Sequence, residues 1–229
     1  MTDTQTARPA VRGLVTETVA VLGAGGVMGF PVARNLARSG LPVRAWNRSR
    51  GVAGPLAAHG AYLARSPWDA ARGAGIVITM LADEGAVVRA MNGPDGALRA
   101  VSGDSNGPRR ALWAQMSTIG EAATRRCAEL AGRNGVGFVD APVLGTRQPA
   151  EEGRLVILES GPEEARHRLK PVFAAIGQRT IRVGEAGAGS RLKAVLDLLV
   201  LAVVGEDAET ADLDLPLIEA LARRYAESG

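Results

Sequence analysis

The stretch TVAVLGAGGVMG at positions 18–29 decides the reading of the fold. After Thr18 its first half is an unbroken apolar run rich in β-branched residues, the pattern of a short strand buried on both faces. Its second half, Gly23-Ala24-Gly25-Gly26-Val27-Met28-Gly29, lets the chain turn tightly into a helix predicted over 27–39 and closed by Gly40. Working outward, the same alternation repeats. Strands are predicted at 41–46 (LPVRAW), 76–81 (IVITML), 111–117 (ALWAQMS), 137–143 (GFVDAPV), 154–160 (RLVILES) and 180–184 (TIRVG). Between them run amphipathic helices at 84–91, 120–134 and 162–176, with short helical pieces over 51–74 opened by Ser66-Pro67. Asn92 to Arg110 reads as turn and loop. This is the sequence form of an α/β, Rossmann-type doubly wound, mainly parallel sheet. After Gly189 the pattern changes to one long apolar helix through Val204, a polar break, and a last helix at 215–227, a short all-helical remnant. The expected organisation is a flexible tail at 1–17, a nucleotide-binding domain at 18–186, and an interdomain helix with a truncated helical domain at 187–229.

Composition narrows the function class. Two lysines stand against 25 arginines in 229 residues, and with 24 acidic residues the net charge is only +3. The arginines are spread along the chain, which argues against nucleic acid as a partner, and 3% aromatics give no stacking platform for single strands. The single cysteine, Cys127, cannot form an intramolecular disulfide, and with two histidines beside it no metal cage is expected. The N-terminal residues lack the apolar core of a signal peptide, and the longest apolar stretch, 192–204, is interrupted by Lys193 and Asp197 and is too short to span a bilayer. The expectation is a cytoplasmic protein without a membrane partner, acting on a small molecule.

The glycine turn in this context is a dinucleotide fingerprint, because a pyrophosphate can approach the N–H groups at the helix N-terminus. The end of the second strand then selects the dinucleotide. An NAD site places an acidic residue there for the ribose hydroxyls, and an NADP site places arginine. The strand ends in Asn47-Arg48-Ser49, and from Thr18 to Trp68 there are six arginines and no Asp or Glu. Arg48 is suited to stack on the adenine and pair with a 2′-phosphate, with Asn47 and Ser49 hydrogen-bonding around it. NADPH is the expected cofactor, without a metal.

With these motifs in place the sequence resembles the β-hydroxyacid dehydrogenase family, which includes 3-hydroxyisobutyrate and tartronate semialdehyde-type reductases and is similar to the NADP-binding domain of 6-phosphogluconate dehydrogenase. Six segments carry the resemblance in the family's order: Met28 to Leu36, Asn47-Arg48-Ser49, Met80-Leu81-Ala82-Asp83, Ser117-Thr118-Ile119, Asp140-Ala-Pro-Val143, and Gly187 to Lys193. The resemblance implies that Met80 and Leu81 pass the adenosine ribose, that Thr118 lies near the nicotinamide, that Gly145 and Thr146 touch the substrate, and that Lys193 is the general acid/base, with Asp197 one turn after it. The chemistry implied is hydride transfer between NADPH and a small carbonyl or hydroxy-acid substrate, a role that needs a side chain able to lose a proton. Arginine cannot do that. His59, His167 and Lys170, the last just before Pro171 at an expected helix end, read as surface groups, and Cys127 as a packing residue.

The departures from the family pattern are specific. The glycine turn is one residue longer than Gly-x-Gly-x-x-Gly, Leu144 stands where the family has a serine, and Asp197 where it has asparagine. A carboxylate beside the lysine repels an acidic substrate and favours a less acidic carbonyl or an imine. Only 36 residues follow Lys193, against an all-helical domain of about a hundred in the family. The alternatives are therefore a catalytically impaired NADP-binding or oligomerising protein, or an imine reductase-like enzyme. The apolar helix 192–204 should find its missing cover in a partner chain, as a homodimer.

Overall fold

A computed structural model describes residues 17–102, 110–203 and 215–227. Strand β1 (Val19–Leu22) shows why the glycine stretch decides the architecture. Val19 and Val21 point into one apolar cluster, and Ala20 and Leu22 into a second on the opposite face. The strand β4 (Ile76–Thr79) divides in the same way, Ile76 and Ile78 against Val77, and so does β5 (Leu112–Gln115), with Leu112 and Ala114 against Trp113. A strand with apolar groups on both faces needs helices on both faces, which is what double winding supplies.

With β2 (Val43–Trp46), β3 (Tyr62–Leu63) and β6 (Gly137–Asp140), the order β3-β2-β1-β4-β5-β6 is all parallel. The sheet then changes sense. Strand β8 (Leu155–Ser160) meets β6 antiparallel at Asp140 and Ser160, and pairs antiparallel with β7 (Val143–Leu144) and parallel with β9 (Gly177–Gly184). One face is covered by α1 (Gly29–Arg38) and α8 (Glu163–Ile176), the other by α3 (Pro67–Ala71), α4 (Glu84–Asn92), α5 (Leu98–Val101) and α6 (Glu121–Arg133). Trp113 and Phe138 meet edge to face on the second side, with centroids 5.2 Å apart.

Several expectations are corrected. The segment 51–74 holds the expected helical pieces, α2 (Arg50–Ala53), a 3₁₀ turn at Gly54–His59 and α3 opened by Ser66-Pro67, but also the edge strand β3, which at two residues is too short to show a period. The expected loop at 92–110 contains α5, whose Leu98 and Val101 are buried. The predicted strand 137–143 is two, interrupted at Ala141-Pro142, because a proline lacks the N–H a continuous ladder needs. Lys170 is exposed in the middle of α8, which runs on through Pro171, and not at a helix end. Of the expected tail, Glu17 is ion-paired with Arg168 at 2.6 Å; residues 1–16 lie outside the described residues.

The long C-terminal helix, α9 (Ala188–Val203), is also better covered than its isolation in the sequence implied. Leu192, Leu196 and Val200 are buried, and the first two join Leu144, Val156, Leu158, Ile181 and Val183 with Ile218 and Ala222 of α10 (Leu215–Glu227). The chain itself supplies one wall. Val195 and Leu198, 46% and 66% exposed, mark the face left open. Among the described residues no helix is long and apolar enough to cross a membrane, and no cluster of three metal-ligating side chains occurs.

Cys127 is the packing residue its helix position implied. It is buried on α6, and burial pushes its thiol up to about 11, with Glu84 adding to the effect. In the folded protein at pH 8 it should react with a thiol reagent at least ~10²-fold more slowly than after unfolding, a difference that a disulfide-exchange absorbance assay reads directly.

Candidate functional site

The glycine turn is built so that side chains are excluded from it. Gly23 has φ +97°, and a Cβ there would lie 2.1 Å from the Met80 carbonyl oxygen; a Cβ at Gly29 would lie 2.0 Å from the Gly23 carbonyl oxygen. The first contact sets Met80 and Leu81, at the end of β4, against the turn. The second lets α1 start directly over it. Gly23 and Ala24 donate their N–H groups to the Trp46 carbonyl at 2.9 and 3.0 Å, which fixes the turn to the end of β2. The Gly26 N–H donates to Gly23 and the Phe30 N–H to Gly26, so the amides of Val27 and Met28 are left without a backbone partner among the described residues. Gly26 and Val27 are exposed. Open amides at a helix N-terminus on an exposed glycine turn fit a pyrophosphate.

At the end of β2, Asn47 is already engaged. Its Oδ1 accepts from the Gly25 N–H at 3.3 Å, and its Nδ2 donates to the Ser49 carbonyl at 3.0 Å. It braces the turn against the strand end. Arg48 and Ser49 are exposed, and no ion pair or hydrogen bond occupies the Arg48 guanidinium among the described residues. Arg44, by contrast, is committed to structure: it pairs with Asp69 at 3.1 Å and lies over the Tyr62 ring at 4.1 Å.

The strand ends form one edge. The Met80 N–H donates to Leu22, Met116 to Thr79 and Ala141 to Gln115, so the ends of β1, β4, β5 and β6 are stepped side by side. Beneath this edge lies a buried polar chain absent from the sequence reading. The Trp113 Nε1–H donates to Thr79 Oγ1 and Thr79 Oγ1 donates to Gln115 Oε1, both at 2.9 Å. Gln115 Oε1 also accepts from the Ser117 N–H, and Ser117 Oγ accepts from the Leu81 N–H at 2.8 Å. Ser117 is thereby a brace between two strand ends, while Thr118 beside it is exposed. The signal for this chain was the lone Gln115 in an apolar strand.

Lys193 lies in the second turn of α9. Its side chain is 12% exposed, and Nζ donates to both Asp197 oxygens, at 2.7 and 2.9 Å. The start of α9 is anchored on Asp140, the last residue of β6. Asp140 Oδ2 accepts from the Ser190 N–H at 2.8 Å and from Ser160 Oγ at 3.2 Å, Oδ1 accepts from Ser190 Oγ at 2.7 Å, and Ser160 Oγ accepts from the Gly189 N–H at 3.0 Å. Burial pushes the Asp140 carboxyl above the usual range, and the bonds from Ser190, Ser160 and Gly187 pull it back. Because β6 is three strand positions from β1, this start lies roughly 14 Å along the same edge from the glycine turn, at ~4.8 Å per strand.

Gly145, with φ +122°, and Thr146 follow β7; Thr146 opens α7 (Arg147–Glu151) with no side-chain cap bond. Arg34 and Asn35 of α1 donate to the Glu151 and Ala150 carbonyls, each at 2.8 Å, and so tie α7 to the helix after the glycine turn. Leu144 is buried in the apolar cluster around α9. A concavity of about 490 Å³ between α8 and β9 contains none of these residues. Three of its arginines are already paired, Arg166 and Arg182 with Glu163 and Arg179 with Glu219.

Residues 18–184 match the family described as the NAD binding domain of 6-phosphogluconate dehydrogenase. Glyoxylate/succinic semialdehyde reductase 2 of Arabidopsis thaliana is 29% identical over 206 residues, 90% of this chain but 56% of the plant protein, so the chain spans little more than half that relative's length. Among solved structures, 3-hydroxyisobutyrate dehydrogenase of Mycobacterium tuberculosis with L-serine superposes with a TM-score of 0.73 at 32% identity, covering 82% of this chain and 61% of that one. Psf3 in complex with NADP+ and 2-OPP superposes with a TM-score of 0.71 at 26% identity, covering 92% of this chain and 79% of that one. With open amides at its glycine turn and this match, the chain belongs to the family of the NAD-binding domain of 6-phosphogluconate dehydrogenase, among relatives of the 3-hydroxyisobutyrate dehydrogenase type.

Proposed function

We propose that the protein is an NADPH-dependent reductase of a small carbonyl compound, with Lys193 as general acid. The observation that carries the reading is Arg48: an exposed cation, unpaired among the described residues, at the end of β2, beside the glycine turn, in a stretch from 18 to 68 without a carboxylate. Arg48 would hold the 2′-phosphate, the amides of Val27 and Met28 the pyrophosphate, and Met80, Leu81 and Thr118 the rest of the dinucleotide. A bound nicotinamide supplies a hydride to the electrophilic carbon. Lys193 hydrogen-bonds the carbonyl oxygen and delivers a proton from Nζ; in the reverse direction it takes the proton back. The NADP+ complex of Psf3 supports the choice of dinucleotide.

The test is the cofactor preference of Arg48→Asp. NADPH affinity should fall ~10- to 10²-fold, as expected for the loss of a charge-assisted phosphate contact, and the NADPH/NADH ratio should invert. Fluorescence titration with both dinucleotides measures this, and an unchanged ratio would sink the assignment.

The substrate is proposed to be a neutral carbonyl or an imine, since Asp197 already neutralises Lys193 and an anionic substrate would meet its carboxylate. We place the protein in the cytoplasm, on its single cysteine, and as a homodimer through the face of α9 marked by Val195 and Leu198.

A further inference from the structure

We propose that Asp140 is the positioning residue of the Lys193 site: its buried carboxylate clamps the start of α9 and so fixes where the ammonium stands at the sheet edge. The inference rests on the reading of Lys193 as catalytic and assigns Asp140 a task beyond packing.

Three observations support it. The first is the source of the cap. A helix start usually takes its acceptor from its own N-cap residue. Here the acceptors come from two strands, Asp140 of β6 and Ser160 of β8, with Thr124 of α6 touching Ser190 Oγ at 3.0 Å. Three elements converge on two successive residues of α9. The second is the closeness of approach. A Cβ at Gly189 would lie 2.5 Å from the Leu158 carbonyl oxygen and 3.2 Å from Asp140 Oδ2, so the helix is seated flush on β8 and has no freedom to slide. The third is the register. Lys193 is three residues after Ser190, on the same helix face one turn on. Wherever Asp140 holds Ser190, it points Lys193.

The charge has a reason as well. An acceptor alone would cap the helix, and a fully buried carboxylate is costly to desolvate. The positive end of α9 faces the Lys193 ammonium one turn away, and a carboxylate at that end offsets the repulsion. Asp197 lies on the other side of Nζ, so the ammonium stands between the helix start and a partner that is 41% exposed. Of the two, Asp140 sets position, because its carboxylate accepts from four groups, the Ser190 N–H and hydroxyl, the Ser160 hydroxyl and the Gly187 N–H.

The experiment uses Asp140→Asn, which keeps the shape and loses the charge, together with Lys193→Ala and the double variant. Misplacing a catalytic group by about 1 Å costs up to ~10²-fold, so Asp140→Asn should lower kcat ~10- to 10²-fold with the NADPH dissociation constant unchanged, and should cost nothing further in the Lys193→Ala background. A purely structural aspartate would cost the same in both backgrounds.

A second readout needs no activity. The chain has two lysines, so 13C-lysine labelling gives two side-chain NMR signals, and exposed Lys170 serves as an internal reference. The Lys193 Cε signal should move in Asp140→Asn at fixed pH while that of Lys170 stays in place. If Asp140→Asn does not fold, Ser190→Ala removes one bond to Oδ1, keeps the buried carboxylate, and is judged by the same two criteria. A stationary Lys193 signal, or equal losses in both backgrounds, overturns the proposal. Should Lys193→Ala keep full turnover, the catalytic reading falls, and the NMR signal alone still decides whether Asp140 holds the lysine.

Discussion

Lys193→Ala is expected to lower the turnover of a carbonyl substrate ~10²- to 10⁴-fold, the range over which a positioned general acid contributes. At 1.36 kcal/mol per decade this is about 3–5 kcal/mol of transition-state stabilisation. The NADPH dissociation constant should stay within about twofold, because Lys193 is on α9 and the open amides and Arg48 are at β1 and β2. Truncation leaves Asp197 unpaired, but its side chain is 41% exposed and stays hydrated, so the fold should survive the loss of the pair. Lys193→Arg separates the two parts of the role. It keeps a cation for Asp197 and cannot give up a proton, so its turnover should resemble that of the alanine variant. Steady-state kinetics with NADPH and a panel of small aldehydes and ketones measure all three proteins. Equal kcat for wild type and Lys193→Ala would remove the lysine from the mechanism.

Strands β1, β4 and β5 were legible because they carry apolar residues on both faces and each is followed by an amphipathic helix. Val19 to Leu22, Ile76 to Thr79 and Leu112 to Gln115 divide between two clusters that a sequence pattern can anticipate. The remainder depended on contacts between distant residues. The two-residue β3 is held by its pairing with Arg44 and Ala45, not by its own composition. Helix α5 is four residues long and stands because Leu98 and Val101 fill the space beside α3 and α4. The cover of α9 by Ile218 and Ala222 joins two helices separated by a stretch outside the described residues, and nothing in the local pattern of either one announces it.

At the candidate site, the glycines and the cation at the end of β2 were readable because their reasons are local: a positive φ, a close approach, an absent carboxylate. The bracing groups were not. Asn47, quoted as a ligand-facing residue, spends its amide on Gly25 and Ser49. Ser117 is spent on Leu81. Asp140 is legible in the sequence only as part of the segment Asp140 to Val143, yet its partners Ser160 and Ser190 are 20 and 50 residues away, a distance over which a polar residue in an apolar strand gives only the hint that it has a partner.

Gly23→Ala should be the most damaging single substitution at the turn. The new Cβ would sit 2.1 Å from the Met80 carbonyl oxygen, on backbone that cannot rotate aside, and at φ +97° an L-residue is strained whatever the space. The turn would have to move off β4, and with it the start of α1 that Gly29 seats on the Gly23 carbonyl. A loss of about 2–4 kcal/mol is expected, or roughly 5–15 °C in Tm for a chain of this size. NADPH affinity should drop more than ~10-fold because the open amides are displaced. Gly26→Ala is the matching control. Its Cβ would meet only the Gly23 carbonyl oxygen, at 3.4 Å, and Gly26 is exposed. Stability should then be nearly unchanged, and any loss of NADPH affinity reports the phosphate's approach to that residue. Calorimetry and dinucleotide titration of the two variants thus assign one glycine to the fold and the other to the ligand. Wild-type Tm and affinity for Gly23→Ala would show that the turn does not need the contact with Met80.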